Sequence, residues 1–239
     1  IEGTGKRFGL KQTWWYDGRR DAIASTEAAM KYLAYLHKFF DGNWLHALAA
    51  YNSGEGRVRN AIRKNKRLGK PTDFWSLSLP RETRAYVPKL LALADILKNK
   101  DQYDFAWPVI NNAPAIDIID IGGQIDLALA ADIAGMTIKE LSALNPGYNR
   151  WATDPDGPHQ LVLPVDKAEA FQTELAKLDD SERLNWERHH IRSGDSLIKI
   201  AKQYHTTVDV IRQVNGIRGN SIRAGDYMLV PVALKALDT

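Results

Sequence analysis

His190-Ile191-Arg192-Ser193-Gly194-Asp195-Ser196-Leu197-Ile198-Lys199-Ile200-Ala201 is the stretch that decides how the carboxy-terminal part of the chain folds. Its first three residues read as a short strand. Ser193-Gly194 allows a tight turn, because glycine tolerates backbone angles closed to other residues. Asp195 or Ser196 then accepts the free amides that open a helix. Leu197, Ile200, Ala201 and Tyr204 recur at helical spacing and form one apolar face. Thr206-Thr207 opens a second helix carrying Val208, Ile211 and Val214, and Asn215-Gly216 stops it. Ile222 and Arg223-Ala224-Gly225-Asp226 turn the chain into a last apolar strand, Met228-Leu229-Val230-Pro231. Strand, helix, helix, strand makes a small compact unit.

Upstream, the same pattern recurs. A shift of 70 residues lays Leu127 on Leu197, Ala131 on Ala201, Thr137-Ile138 on Thr207-Val208, Leu141 on Ile211 and Asn145 on Asn215. Both units close on an apolar strand ending in proline, the first being Leu161-Val162-Leu163-Pro164. Matching order and matching ends indicate two copies of one fold. The first copy is degenerate: Gln124 and Ile125 stand where Gly194 and Asp195 stand in the second. Packing is its expected role, with Trp151 in its longer loop read as packing ahead of sugar stacking. Residues 180–188 are polar and read as a connector.

Further upstream the chain reads as helical. Residues 21–40 place Ile23, Met30, Leu33 and Phe40 near a 3.6 period. Asn43 caps a helix over 44–52, and Gly54 and Gly56 break the chain before another over 57–64. Residues 81–99 put Tyr86, Leu90, Leu93 and Leu97 on one face, with Pro88 expected to kink or restart the helix. Composition changes near Pro108, and Asn111-Asn112-Ala113-Pro114 reads as a linker. The expected class is α+β: a helical part over 1–107, a first small unit over 108–180, a linker over 181–188 and a second unit over 189–235.

Bulk properties exclude several functions. The 239 residues carry a net charge of +3, too weak to imply a nucleic-acid partner. The basic run Arg57, Arg59, Arg63, Lys64, Lys66, Arg67 and Lys70 reads as a solvated helix face, with attraction to an anionic polymer second. Cysteine is absent, so no disulfide, Cys-ligated zinc or thiol catalysis is expected. No His pair has the spacing of a zinc hydrolase, and His189-His190 reads as strand, so neither metal nor cofactor is expected. Gly3-Thr4-Gly5 and Gly9 have no strand before them and make no nucleotide loop. No apolar run reaches the ~20 residues of a membrane span. Ile1-Glu2-Gly3 is no signal peptide, so the chain reads as mature or truncated.

The carboxy-terminal unit resembles the LysM domain through Ile191, Gly194-Asp195-Ser196-Leu197, Ile200-Ala201, Tyr204, Thr207-Val208, Ile211, Asn215, Ile222, Gly225, Leu229 and Pro231. The resemblance implies binding of GlcNAc-containing polymers in a groove formed by Gly194, Asp195, Ser196, Leu197, Asn215, Gly216 and Ile217. The same residues also read as plain caps and turns. In the helical part, Tyr16-Asp17-Gly18-Arg19-Arg20-Asp21, Ala49-Ala50-Tyr51-Asn52-Ser53-Gly54 and Glu82-Thr83-Arg84-Ala85-Tyr86-Val87 resemble, in order and spacing, the family 23 lytic transglycosylases, which are lysozyme-like.

That resemblance implies cleavage of the MurNAc-β-1,4-GlcNAc bond of peptidoglycan with formation of 1,6-anhydroMurNAc, in the bacterial envelope or periplasm, with outer-membrane association of the full-length protein. It implies a substrate cleft of Tyr51, Asn52 and Tyr86, with Tyr51 lining it, Asn52 bonding the substrate or holding the reactive geometry, and Tyr86 bonding to the family's acid. Core packing for the tyrosines and a helix C-cap for Asn52 are the structural alternatives. The family's acid lies on a Glu-Ser helix upstream of the motif that Ile1-Glu2-Gly3-Thr4-Gly5 matches. The general acid is therefore expected to be missing, with Glu55 and Glu82 the nearest other carboxylates and Glu2 not a substitute. Glycan binding without catalysis and a water-using lysozyme-like hydrolase are the competing functions. Peptidoglycan is the expected partner, together with self-association through the helical part.

Overall fold

The computed structural model describes residues 2–104 and 106–232, so Ile1 of the expected motif and residues 233–235 of the expected carboxy-terminal unit lie outside the described residues. The chain divides into two units, Ile1–Leu10 with Ile23–Asn112, and Lys11–Ala22 with Ala113–Thr239. No described helix is long and apolar enough to cross a membrane.

The first unit holds α1 (Glu2–Arg7), α2 (Ala22–Phe39), α3 (Trp44–Ser53), α4 (Glu55–Arg67) and α5 (Arg81–Lys98). Gly3-Thr4-Gly5, dismissed as a nucleotide loop, is helical in α1. The core gathers Leu36, Phe40, Ala47, Ala49, Ala50, Val58, Phe74 and Val87. The buried stripe of α2 differs from the expected one. Met30 is exposed, while Ala28 and Leu36 are buried and Tyr32, Tyr35 and Phe39 pack against the core. Phe40 of the expected stripe is buried and Ile23 and Leu33 are partly buried, so Met30 alone of the four is exposed. Gly56 does not break α4; only Gly54, at φ +89°, does, so the helix starts at Glu55. α5 is not restarted at Pro88. Its expected apolar face is buried only at its amino end: Thr83 and Val87 are inside, whereas Leu90, Leu91, Leu93 and Leu97 are exposed.

The second unit contains both copies of the repeat. The first copy pairs β1 (Ile116–Asp120) antiparallel with β2 (Gln160–Pro164), with Ile118 opposite Val162, and encloses α6 (Leu127–Ile133) and α7 (Ile138–Leu144). A further helix, α8 (Val165–Leu175), closes its core with Ala168, Phe171 and Leu175, a spacing not read from the sequence. The second copy pairs β3 (Asn185–His190) with β4 (Tyr227–Val232) around α9 (Leu197–Gln203) and α10 (Val208–Asn215). β3 begins five residues before the strand expected at His190, inside the connector, because its pairing runs out to Asn185 opposite Val232.

One device recurs at equivalent positions. The Asn145 amide donates to the carbonyls of Leu141 and Val162, both at 2.9 Å, and its Oδ1 accepts from Val162 N–H at 2.8 Å. Asn215 makes the same three bonds with Ile211 and Leu229, at 2.7–2.8 Å. Each side chain therefore ties the second helix of its module to the last strand.

Lys11–Ala22 joins this unit, although the sequence suggested it belonged with the helices. Tyr16 bridges Tyr148, Asp17 N–H donates to Gly147 carbonyl at 2.8 Å, and Asn149 N–H donates to Trp15 carbonyl at 2.8 Å. Thr13 Oγ1 donates to Asp154 at 2.7 Å. Trp15, Tyr16 and Trp151 bury together with Leu184 and Val210, so Trp151 is packing. A Cβ at Gly147 would lie 2.7 Å from the Tyr16 ring. Gly147→Ala is therefore expected to lower unfolding stability by about 1–3 kcal/mol. Urea unfolding followed by tryptophan fluorescence checks this, and an unchanged midpoint would refute the close docking of Tyr16.

Candidate functional site: joined helix ends and a turn cluster

α3 is built to present its last turn. Asn43 caps it by accepting from His46 N–H at 3.1 Å. Ala47, Ala49 and Ala50 are fully buried, and so small that neighbouring helices approach closely. Gly54 N–H closes the helix on Ala50 carbonyl. Tyr51 and Asn52 therefore sit at the rim. Asn52 is not the C-cap. Its Oδ1 accepts from Thr83 Oγ1–H at 2.8 Å and its amide donates to Glu82 Oε1 at 3.1 Å. It thus fastens the end of α3 to the first turn of α5. Tyr51 is 37% exposed, with its ring 5.5 Å from that of Tyr32. Tyr86, one turn beyond Glu82, is half-buried against the helical core.

Glu55 opens α4 beside this rim. Its carboxylate meets Arg7 at 3.1 Å and accepts from Tyr32 hydroxyl at 3.2 Å. Its own amide at the helix start, then Arg7 and Tyr32, hold the carboxyl below the usual range against partial burial. Burial foremost, then the Glu55 charge, pushes the Tyr32 phenol up to about 12. Arg7 also lies 4.4 Å over the Tyr35 ring. Arg7, Tyr32 and Tyr35 were not picked out in the sequence. The legible signal was the aromatic spacing Tyr32, Tyr35, Phe39 along α2. The structure thus groups Tyr51, Asn52 and Glu82 with these residues, and none of them is arranged as a metal site among the described residues.

In the second unit the expected groove residues form two clusters. Gly194 is exposed at φ +86°. Asp195 accepts from Arg192 N–H at 2.8 Å, from Lys199 Nζ at 2.9 Å, and lies 3.5 Å from His189 Nε2. Ser196 caps α9 through Lys199 N–H at 3.2 Å. In the degenerate copy Asp126 supplies the equivalent cap to Ala128 and Leu129 N–H, so the cap survives where the turn is lost. Leu197 is 3% exposed, which removes its side chain from any sugar contact. Asn215 is consumed by the strand tie, and Gly216, at φ +62°, leads to Ile217, packed on the core. No hydrogen bond or ion pair joins the two clusters among the described residues. His189 bonds Tyr204 hydroxyl at 2.9 Å, which gives that residue a structural partner.

Comparison with known proteins matches this layout. Residues 1–74 match the family described as the transglycosylase SLT domain, residues 115–180 the family described as "Lytic transglycosylase MltD, LysM-like domain", and residues 189–231 the LysM domain. The chain is 40% identical over 240 residues, covering 96% of it, to "Membrane-bound lytic murein transglycosylase D" of Escherichia coli strain K12, and to the same extent to that of strain O6:H1. Over nearly its whole length the chain is similar to a lytic murein transglycosylase, with an SLT match followed by two LysM-type matches. It spans 53% of the length of those two relatives. A "Putative tributyltin chloride resistance protein" of Alteromonas sp. strain M-1 is 40% identical over 116 residues, which cover 48% of this chain and 54% of that protein.

The ion pairs of the LysM module make its stability pH-dependent. The Arg192 amide, then Lys199, hold the Asp195 carboxyl at about 2 rather than 3.8. A lowered folded value means the contribution is complete above 3.8 and lost as pH falls toward 2. Asp195→Asn is expected to lower Tm at pH 5 by a margin that shrinks as pH approaches 2. Parallel thermal melts of both proteins measure it, and a margin independent of pH would sink the assignment.

Proposed function

We propose that the protein is a peptidoglycan lytic transglycosylase of the bacterial cell envelope, located in the periplasm and associated with the outer membrane, and that its LysM module holds the glycan. The observation that carries the reading is the Asn52 side chain joining the end of α3, which carries Tyr51, to α5, which carries Tyr86, in the same chain as a LysM turn cluster. In the proposed reaction a carboxylic acid protonates the oxygen leaving to GlcNAc. The MurNAc C6 hydroxyl attacks its own anomeric carbon, and its proton returns to that carboxylate. The bond made is C6–O–C1, the bond broken is C1–O, and no water is consumed. This differs from the two-carboxylate hydrolase scheme.

A general acid needs a carboxyl still protonated near neutral pH. Glu55 is shifted the opposite way by its own amide and Arg7. It is assigned to holding the rim, not to proton donation. Glu82 is assigned to holding Asn52. These assignments favour glycan binding as what the described residues do, which keeps a non-catalytic binder as the second reading.

Incubation with purified peptidoglycan tests both. The chain is expected to sediment with the wall, and any soluble product to end in 1,6-anhydroMurNAc by mass spectrometry. Reducing MurNAc ends would make it a hydrolase, and failure to sediment would refute the binding role. Glu55→Gln is expected to leave any product yield within about twofold, whereas loss of a general acid costs about 10²–10⁴-fold. The exposed leucines of α5 also support the proposal of self-association through the helical unit. Light scattering is expected to show mass rising with concentration, and a constant monomer mass would end that proposal.

A further inference from the structure

A cavity of about 420 Å³ opens in the second unit, lined among others by Trp14, Arg150, Ile198, Lys202, Thr206 and Val208. Its size is within the roughly 300–1,000 Å³ typical of small-ligand sites. None of the groove residues named above lines it. Its walls are fixed in advance. Trp151 Nε1–H donates to His205 carbonyl at 3.1 Å, which pins the α9–α10 turn against the loop holding Arg150.

The lining carries two cations and no carboxylate. The Arg150 guanidinium lies 4.1 Å over the Trp14 ring, so that face of the indole is already covered. Arg150 donates to Asn149 carbonyl at 3.2 Å, yet its buried Nε has no partner among the described residues. Lys202 has no ion pair among the described residues and is exposed. Thr206 is 5% exposed and its Oγ1 also lacks a partner among the described residues. Buried polar atoms without partners are uncommon in folded proteins and mark a place where a ligand or water completes the bonding. The amino end of α10 adjoins, and its dipole favours negative charge. A neutral sugar would seek a free aromatic face, whereas this lining offers a guanidinium fork beside an ammonium, a match for a carboxylate. Ile198 and Val208 give the body of such a ligand an apolar floor.

We propose that this cavity binds the carboxylate groups of the short acidic peptides borne by peptidoglycan, as a second subsite apart from the LysM turn cluster. The inference rests on the reading that the polymer held is peptidoglycan.

Calorimetric titration of the whole chain tests it with three soluble probes: a stem tetrapeptide, a peptide-free GlcNAc–MurNAc disaccharide with its free lactyl carboxylate, and uncharged GlcNAc tetramer. The tetrapeptide is expected to lose about tenfold in affinity with Lys202→Gln, a change at an exposed side chain, and with Arg150→Gln. GlcNAc tetramer affinity is expected to stay unchanged in both. The same loss for the lactyl disaccharide, but not for the tetrapeptide, would overturn the peptide as source. Equal tetrapeptide affinity in all three proteins overturns the cavity itself. Failure of GlcNAc tetramer to bind, with the tetrapeptide loss intact, would strike the glycan-groove reading and leave this one standing.

Discussion

A module of two short strands and two short helices has little with which to hold itself together. Its sheet has only two strands, and an isolated pair is marginal in water. What closes each module is a single side-chain amide, buried at Asn145 and half-buried at Asn215. Asn145 and Asn215 satisfy a helix carbonyl, a strand carbonyl and a strand N–H at once, which no apolar residue at that position could do. Everything else in the module follows from that tie. The last strand is registered against its partner, the second helix is fixed beside it, and the turn after the helix is left at the surface. Asn215 is therefore occupied by the fold, and the exposed chemistry of that turn is left to backbone and to Gly216.

The helical unit uses the same economy in another form. Asn52 sits at a position the sequence offers either to a ligand or to a cap, and its amide instead couples α3 to α5 through Thr83 and Glu82. The end of α3 that carries Tyr51 is thereby held against α5. Glu55, Arg7 and Tyr32 tie α4, α1 and α2 together in the same way.

Legibility in the sequence followed the range of the interaction. Caps and turns are local, so Asn43, Ser196 and Gly216 could be placed from their neighbours alone. The repeat was legible because its signal spans many positions at a constant offset, and the aligned asparagines proved to make the same bonds. Burial faces were less legible. Leu90, Leu93 and Leu97 have helical spacing, but spacing says which residues share a face and not whether anything covers it. Met30 is left exposed for the same reason. Least legible was the placement of residues 11–22, since nothing local announces that Tyr16 will fill the space over Gly147. Trp14 and Arg150 likewise meet only through that docking.

The two-part origin of the second unit has a consequence during synthesis. Trp15 and Tyr16 leave the ribosome long before Trp151, which follows Tyr16 by 135 positions. At about 5–20 residues per second the interval is roughly 7–27 s. For that time two aromatic rings destined for the interior lack the contacts with Tyr148 and Trp151, while the intervening helices are free to form around local contacts. The nascent chain thus carries an unclosed loop of high contact order, and its last module completes a core begun near its start.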